Sequence, residues 1–428
     1  MPDGRVLIAE TAGPLDPNPT WTRYDELPNC RCPGYDITTG RHSEFDVVET
    51  GSAQVFFNDR NQTMNDPALV GKQILLQAHD PVADLWFPQF RGIIDEPDFD
   101  VSPTGVKATV SLNCVDVMDY LGRAEFTVDG TFGDAGGPTG VVFYEDGSVD
   151  GRIEQILTEC GVDPDMYVVF SGNVDLIETR YDAGDAALTA IRDAVDAEFP
   201  GIGLAYVDKA GRFVFHGRFA RLDPEGTAAS ASPGAWDFIS WTAGDGAFVE
   251  GDPFLRAQIR TFAHNYPASR IINSYQAWAR STTGAAPDVR VATDATSITN
   301  YGIRGRSAPD LILAGHKTNG NTAADELDLV CSYYVSNYKN PARNVRSVTF
   351  KSVRPDDDRA ECTWNLMTAV QISDRITLTV ADAGADAEAY FVEGLSISLR
   401  QLNPDIDYME VTPNLSPAAY FTDDVFNP

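Results

Sequence analysis

Asp294-Ala-Thr-Ser-Ile-Thr-Asn-Tyr-Gly302 opens a stretch that continues through residues 323–338 and Tyr338-Lys-Asn-Pro341 into Val345-Arg-Ser-Val-Thr-Phe-Lys351. Its parts carry different periods. The first is an Asp-x-x-Ser-Ile-x-x-Tyr-Gly turn. The second places Leu327, Val330, Cys331 and Tyr334 three and four residues apart, which predicts a helix of about four turns with those side chains on its core face. The third alternates apolar and polar residues, the period of a half-buried strand. No catalytic pattern accompanies the stretch, so it points away from an enzyme.

Outward from it, strands dominate. On the N-terminal side, residues 6–9, 43–51, 54–58, 72–78, 89–94 and 107–113 read as short strands. Gly, Pro, Asn and Asp punctuate them at the spacing of a barrel or sandwich, and residues 116–121 read as a closing helical turn. The middle changes period. Residues 152–160 and 185–197 space apolar residues as helices do, with Asp182 or Asp185 as candidate cap of the second and Pro200-Gly201 as its stop. Residues 204–215 form a hairpin about a Lys-Ala-Gly turn, and the segments 129–140 and 223–235 read as loops. From residue 236 strands return at 270–278, 289–292, 345–351, 375–380 and 390–399. The fold class is therefore mainly β with an α+β insert: a β-barrel-like domain over 1–125, an α+β insert and linker over 126–235, and a second barrel-like domain over 236–428 containing the helix at 323–338. A weak internal echo, Phe90-Arg-Gly92 against Phe391-Val-Glu-Gly394, fits two related barrels.

The chain has 428 residues, enough for two or three domains, with 43% apolar and 10% aromatic residues, the composition of a globular protein. Its 63 acidic against 32 basic residues give a net charge of −31. Such a surface repels nucleic acid and anionic membranes, because affinity for both needs Lys and Arg to neutralise phosphates. The acidity reads either as a surface that must not hold DNA or as solubility in a salt-adapted source. No run approaches the ~18 apolar residues of a membrane span, and Met1-Pro-Asp-Gly-Arg-Val-Leu-Ile has neither the basic region nor the apolar core of a signal peptide. Six scattered cysteines suit a reducing cytoplasm.

Searching for chemistry yields little. There is no His-Glu-x-x-His, Gly-x-Ser-x-Gly, phosphate-binding Gly-Lys-Ser/Thr or Gly-x-Gly-x-x-Gly. Cys30-Arg-Cys32 with His42 is half a zinc set without its second pair, and reads as two free thiols in a loop. The five histidines, His42, His79, His216, His264 and His316, share no ligand spacing, and His264 reads as packed among aromatics. Asp356-Asp-Asp358 reads as a solvated loop; Asp59, Asn61, Asn65 and Asp66 lack the Gly and Glu of a calcium loop. Trp21, Tyr24, Trp86, Trp236, Trp241 and Trp278 are candidates for stacking on sugar, though core positions explain them too. No catalytic, cofactor or metal residue is assigned.

Order along the chain is more telling than any single motif. The Asp294 turn, the helix, Tyr-x-x-Pro and the strand at 345 follow the order found in tail hub, or minor tail, proteins of long-tailed bacteriophages. Gly40-Arg41-x-x-x-Phe45, then Gly51-Ser-Ala-Gln-Val-Phe-Phe-Asn58 and a loop ending at Pro67, resembles the opening of actinophage minor tail proteins. Ile372-Ser-Asp-Arg-Ile376, Phe391-Val-Glu-Gly394 and Asn414-Leu-Ser-Pro417 resemble the closing strands, although Ile-Gly-Asp-Arg is commoner there. The resemblance covers residues 36–120 and 270–418. It implies two similar β-barrels per subunit, a homotrimer whose six barrels form a pseudo-sixfold ring, and no catalytic residue or cofactor. It further implies a place at the virion's tail tip after synthesis in the host cytoplasm, and a path for DNA. The implied partners are the distal tail ring protein, the C-terminus of the tape measure protein and other tail-tip or fibre proteins. Neither specific nucleic-acid binding nor membrane insertion is implied, and no room remains after Pro417 for an appended lytic domain. Alternatives are the hexameric distal tail ring protein itself, or a tail protein that binds or hydrolyses cell-wall glycan. Edge strands at 54–58 and 345–351 are the expected ring contacts. The acidic loops Asp95-Glu-Pro-Asp-Phe-Asp100 and Asp382-Ala-Gly-Ala-Asp-Ala-Glu388 are the expected lumen wall.

Overall fold

A computed structural model describes residues 4–27, 30–59, 64, 66–101, 108–126, 141–221, 240–244, 257–280, 287–355, 357–380, 383–403 and 406–421. Its first part is β1 (Gly4–Ala9), β2 (Thr22–Arg23), β3 (Cys30–Gly40), β4 (Glu49–Asp59), β5 (Gln73–Asp80), β6 (Leu85–Val101), β7 (Ala108–Val115) and α1 (Val117–Arg123). The middle holds β8 (Val141–Tyr144), β9 (Gly147–Ser148), α2 (Val149–Glu159), β10 (Tyr167–Val169), β11 (Val174–Leu176), β12 (Thr179–Asp182), α3 (Ala187–Glu198), β13 (Leu204–Val207) and β14 (Phe213–His216). Then come β15 (Ser240–Gly244), β16 (Ala257–Asn265), β17 (Ser274–Ala279), β18 (Asp288–Thr293), α4 (Ala295–Tyr301), β19 (Gly305–Leu311), β20 (Leu313–His316) and α5 (Ala323–Tyr338). The last part is β21 (Asn344–Lys351), α6 (Ala360–Ala369), β22 (Arg375–Val380), β23 (Ala385–Asn403) and β24 (Ile406–Pro417).

Local chemistry sets the helices. Thr322 and Asp325 form a reciprocal capping box at the start of α5, and Leu327, Val330, Cys331 and Tyr334 are buried as their spacing predicts. Asp294 accepts the Ser297 N–H at 2.8 Å, so the Asp-x-x-Ser turn is the first turn of α4, which Gly302 ends at φ 72°. Asp116 caps α1 in the same way. By contrast α3 starts at Ala186 with no side-chain cap; Asp185 accepts the Asp182 N–H instead, so neither expected Asp caps it. Helix α6 lies between the strands expected at 345–351 and 375–380, where the sequence pattern predicts no element.

One sheet dominates. Its thirteen strands run β2-β1-β5-β6-β7-β4-β3-β23-β22-β15-β16-β21-β24, and β24 also pairs with β23. Seven pairs between Gly34–Gly40 and Gly394–Arg400 join the two halves of the chain. The expected pair of separate barrels is therefore replaced by one continuous sheet. Its C-terminal strands curl back through β24; among the described residues β15–β16 and β21–β24 are each joined by two residue pairs, and the sheet ends at β2. Two expected edges are interior: β4 lies between β3 and β7, and β21 between β16 and β24. Alternation marks half-burial, not edge position, which is why it misled. Cys30 and Cys32 lie on strand β3, not in a loop, whereas residues 43–48 are turn and strand β4 begins at Glu49.

Apolar side chains form two cores. Beneath the large sheet, Val55, Phe57, Ile74 and Leu76 from the first part meet Trp364, Ile376, Leu378 and Val411 from the last. The other core gathers Ile153 and Ile156 of α2, Ile191 of α3, Phe213 and Phe215 of β14, Tyr275 of β17 and Leu327 and Tyr334 of α5. Truncating a fully buried Trp such as Trp364 costs about 3–5 kcal/mol.

Candidate functional site

Two features organise the polar chemistry of the molecule: a buried charged seam between distant parts of the chain, and a wide polar face on the large sheet. At the seam, Glu393 of β23 is fully buried. It accepts hydrogen bonds from Arg41 Nε at 2.8 Å and from Arg221 Nη1 at 2.6 Å, and one from the Ser416 hydroxyl. Burial pushes its carboxyl up, but Arg221 and Arg41 outweigh that and hold it at about 2. Arg221 also donates from Nε to Ser373 at 3.0 Å, and Ser373 Oγ lies 3.1 Å from His216 Nδ1. Burial, then the Arg221 charge, depresses the His216 imidazole to about 3, so it stays neutral. Arg218 likewise bridges Glu198 of α3 to Glu326 of α5, the latter at 2.7 Å. At the tip of the β13–β14 hairpin, buried Lys209 donates to Gln89 Oε1 at 2.9 Å and the Thr368 carbonyl at 3.0 Å. With neutral acceptors only, burial lowers its ammonium to about 7.

The face follows from strand register. Glu96, Asn113, Gln54, Asp36, Ser398, Glu410 and Lys351 are successive partners across β6, β7, β4, β3, β23, β24 and β21, so they form one row. A parallel row runs Ser52, Thr38, Ser396 and Thr412. Side chains alternate across a strand, so these residues face away from the core that Val55, Ile37 and Ile397 fill. Asp36 is bridged by Arg400, whose guanidinium lies 4.9 Å over Phe56; Lys351 bridges Glu410 at 3.1 Å. Glu96, Asp98 and Asp100 are exposed on the same face of β6 and carry no ion pair among the described residues. The segment 95–100 is thus a strand with an acidic outer face, not a loop. Its alternation was legible, but Pro97 and the run of carboxylates masked it. Of the segment 382–388, residues from Ala385 belong to β23 and Glu388 pairs with Arg343 at 2.7 Å; Asp382 lies outside the described residues.

The remaining candidates are scattered. His79 packs on Trp86 and lies 3.0 Å from Asp84; His264 sits between Phe262 and Tyr266 as expected; His316 accepts the Thr318 N–H; His42 is exposed. Cys32 is a half-buried thiol whose Sγ lies 3.5 Å from the Gly34 carbonyl oxygen. Among the described residues no group of three His, Cys, Asp or Glu side chains is placed to share a metal ion. Arg5 covers Trp86 and Arg91 lies over Trp21, while Tyr24 is buried and Trp278 half-buried on β17, so these aromatics form no common platform. Trp236, Asn61, Asn65 and Asp356 lie outside the described residues, as does the side chain of Trp241; Asp357 and Asp358 are exposed.

Comparison by sequence with protein-family models and with curated proteins finds no match. Solved structures do match. The fold is similar to that of a tail protein from Neisseria meningitidis MC58, with TM-score 0.57 and 12% identity over 98% of each chain. Weaker likenesses are to the 43 kDa tail protein of prophage MuSo2 from Shewanella oneidensis, with TM-score 0.49 and 9% identity over 97% of this chain and 99% of that one. Prophage tail protein gp18 from Listeria monocytogenes EGD-e gives TM-score 0.46 and 10% identity over 97% of each chain. The chain has the fold of that Neisseria tail protein.

Proposed function

We propose that the chain is a structural subunit of a bacteriophage tail, the hub at the distal tip. The observation that carries this reading is end-to-end agreement in fold with the Neisseria tail protein, over 98% of both chains. In this reading it is a homotrimer made in the host cytoplasm and incorporated into the virion. Each subunit presents two β-rich halves joined by the β3–β23 pairing, so a threefold ring shows six similar units to a sixfold tube. Its partners are then the distal tail ring protein, the tape measure C-terminus and further tip or fibre proteins. DNA passes through the ring during infection.

The acidic face supports this role. Duplex DNA carries a phosphate about every 1.7 Å of axis, so a basic lumen would hold it. Glu96, Asp98 and Asp100 on an inner wall would repel it, over the ~8 Å that screening allows at physiological salt. Mass spectrometry of purified particles tests the location, and electron microscopy of tail tips tests the assembly. The expected result is a low-copy virion protein with threefold tip density. Absence from particles ends the hub reading, a six-copy ring of this chain ends the trimer, and a neutral or basic inner wall ends the lumen assignment.

A further inference from the structure

We propose that the cleft between the start of β22, the start of β23 and residues 417–421 is a docking site for an acidic peptide segment of a partner protein, whose carboxylate Arg375 receives. The cleft holds about 440 Å³ and is walled by the aromatic rings of Tyr390, Phe391, Tyr420 and Phe421. Among the described residues, three arginines line it, Arg221, Arg343 and Arg375, against one carboxylate, Glu388. That balance is the reverse of the chain's, where 63 acidic residues outnumber 32 basic ones.

Two of the three are engaged. Arg221 is held by Glu393 and Ser373, and Arg343 donates to Glu388 at 2.7 Å and to the Gly384 carbonyl at 3.3 Å. The side chain of Arg375 differs in making no ion pair or hydrogen bond among the described residues; its Nε, like that of Arg343, is buried without an acceptor. A half-buried guanidinium left unmatched in a chain so rich in carboxylates is a donor fork without its acceptor. A carboxylate fills such a fork with two parallel hydrogen bonds, and the aromatic walls suit an apolar side chain beside it. Charge complementarity thus selects an acidic segment bearing aromatic or aliphatic residues.

The test uses the full chain and a fluorescein-labelled peptide of alternating glutamate and phenylalanine, with its glutamine counterpart, read by fluorescence anisotropy. The glutamate peptide should bind at least tenfold tighter than the glutamine one. Arg375→Gln should remove that preference, and Arg375→Lys should restore only part of it, because an ammonium keeps the charge but not the fork. Tyr420→Ala, which leaves every arginine in place, should weaken both peptides. Equal binding of the two peptides within twofold, or a preference that survives Arg375→Gln, overturns the proposal. Displacement of the peptide by inorganic phosphate at equal concentration reduces the site to a general anion site and also overturns it. Binding that appears only after removal of residues 422–428, which include Asp423 and Asp424, assigns the cleft to the chain's own C-terminal segment and rejects the partner.

Discussion

Removing the carboxylate of Glu393 should destabilise the protein more than almost any other single change. The side chain is fully buried and holds the guanidinium groups of Arg41 and Arg221, two residues that are each only 4% exposed. Breaking a buried pair by deleting one partner costs about 3–5 kcal/mol, because the remaining charge is stranded away from water. Here two charges are stranded, although Arg41 keeps the Gly201 carbonyl at 2.9 Å and Arg221 keeps Ser373. Glu393→Ala should therefore lose about 4 kcal/mol in equilibrium urea unfolding, and Glu393→Gln about half of that, since an amide retains one acceptor without the charge. Acid gives an independent figure. The folded carboxyl titrates at about 2 against an ordinary 4.5, so its stabilisation is complete above pH 4.5 and is lost as pH falls through 2. The shift corresponds to about 3 kcal/mol. Wild type should thus lose stability between pH 4.5 and 2 more steeply than Glu393→Gln. A combined Glu393→Leu, Arg41→Met and Arg221→Met variant should recover at least half of the loss, since an apolar replacement removes the stranded charges. A loss below about 1 kcal/mol for Glu393→Ala would refute the argument that this triad locks the seam.

Other outcomes follow from the same physics. The Lys209 ammonium is lowered to about 7 by burial, so the unfolded chain binds the extra proton above that pH and stability should rise from pH 7 to 9. Lys209→Met should flatten this rise by about 2 kcal/mol, measured as the difference between the two pH profiles. Thr322→Ala removes half of the α5 capping box and should cost about 1 kcal/mol by urea unfolding. Replacing Glu96, Asp98 and Asp100 together by Lys should change stability by only about 0.5 kcal/mol per site, as surface changes do. In particles it should slow DNA ejection without reducing tail assembly, and normal ejection kinetics would count against the lumen placement.

Local patterns were legible; long-range partnerships were not. The α5 period and most alternating segments appear where the residues place them, because each depends only on neighbours three, four or two positions away. Strand β3 escaped notice because Cys30-Arg-Cys-Pro-Gly34 carries turn residues. Yet Gly34 is there to let β23 approach: a Cβ at that position would meet the Leu399 carbonyl oxygen at 2.0 Å. Helix α6 was hidden by the charged approach through Asp357 and Arg359. The Glu393 site was invisible in sequence, since its arginines lie 352 and 172 residues away and nothing local marks a carboxylate that will be buried. The polar face was half legible: each strand shows its own alternation, but only register aligns the outward residues into rows.

The pairing of residues 34–40 with 394–400 also sets an order of events during synthesis. Translation proceeds at about 5–20 residues per second, so β3 waits tens of seconds for the strand that covers its edge. Through that interval the nascent chain displays a long strand with one unpaired edge, the kind of surface that recruits another chain. Contacts of such sequence separation also make for slow folding. Neighbouring ribosomes on one message therefore hold several β3 edges close together, each awaiting its own β23. Mispairing between nascent chains is thus the foreseeable failure in producing this protein, and slower initiation or lower temperature should raise the soluble yield.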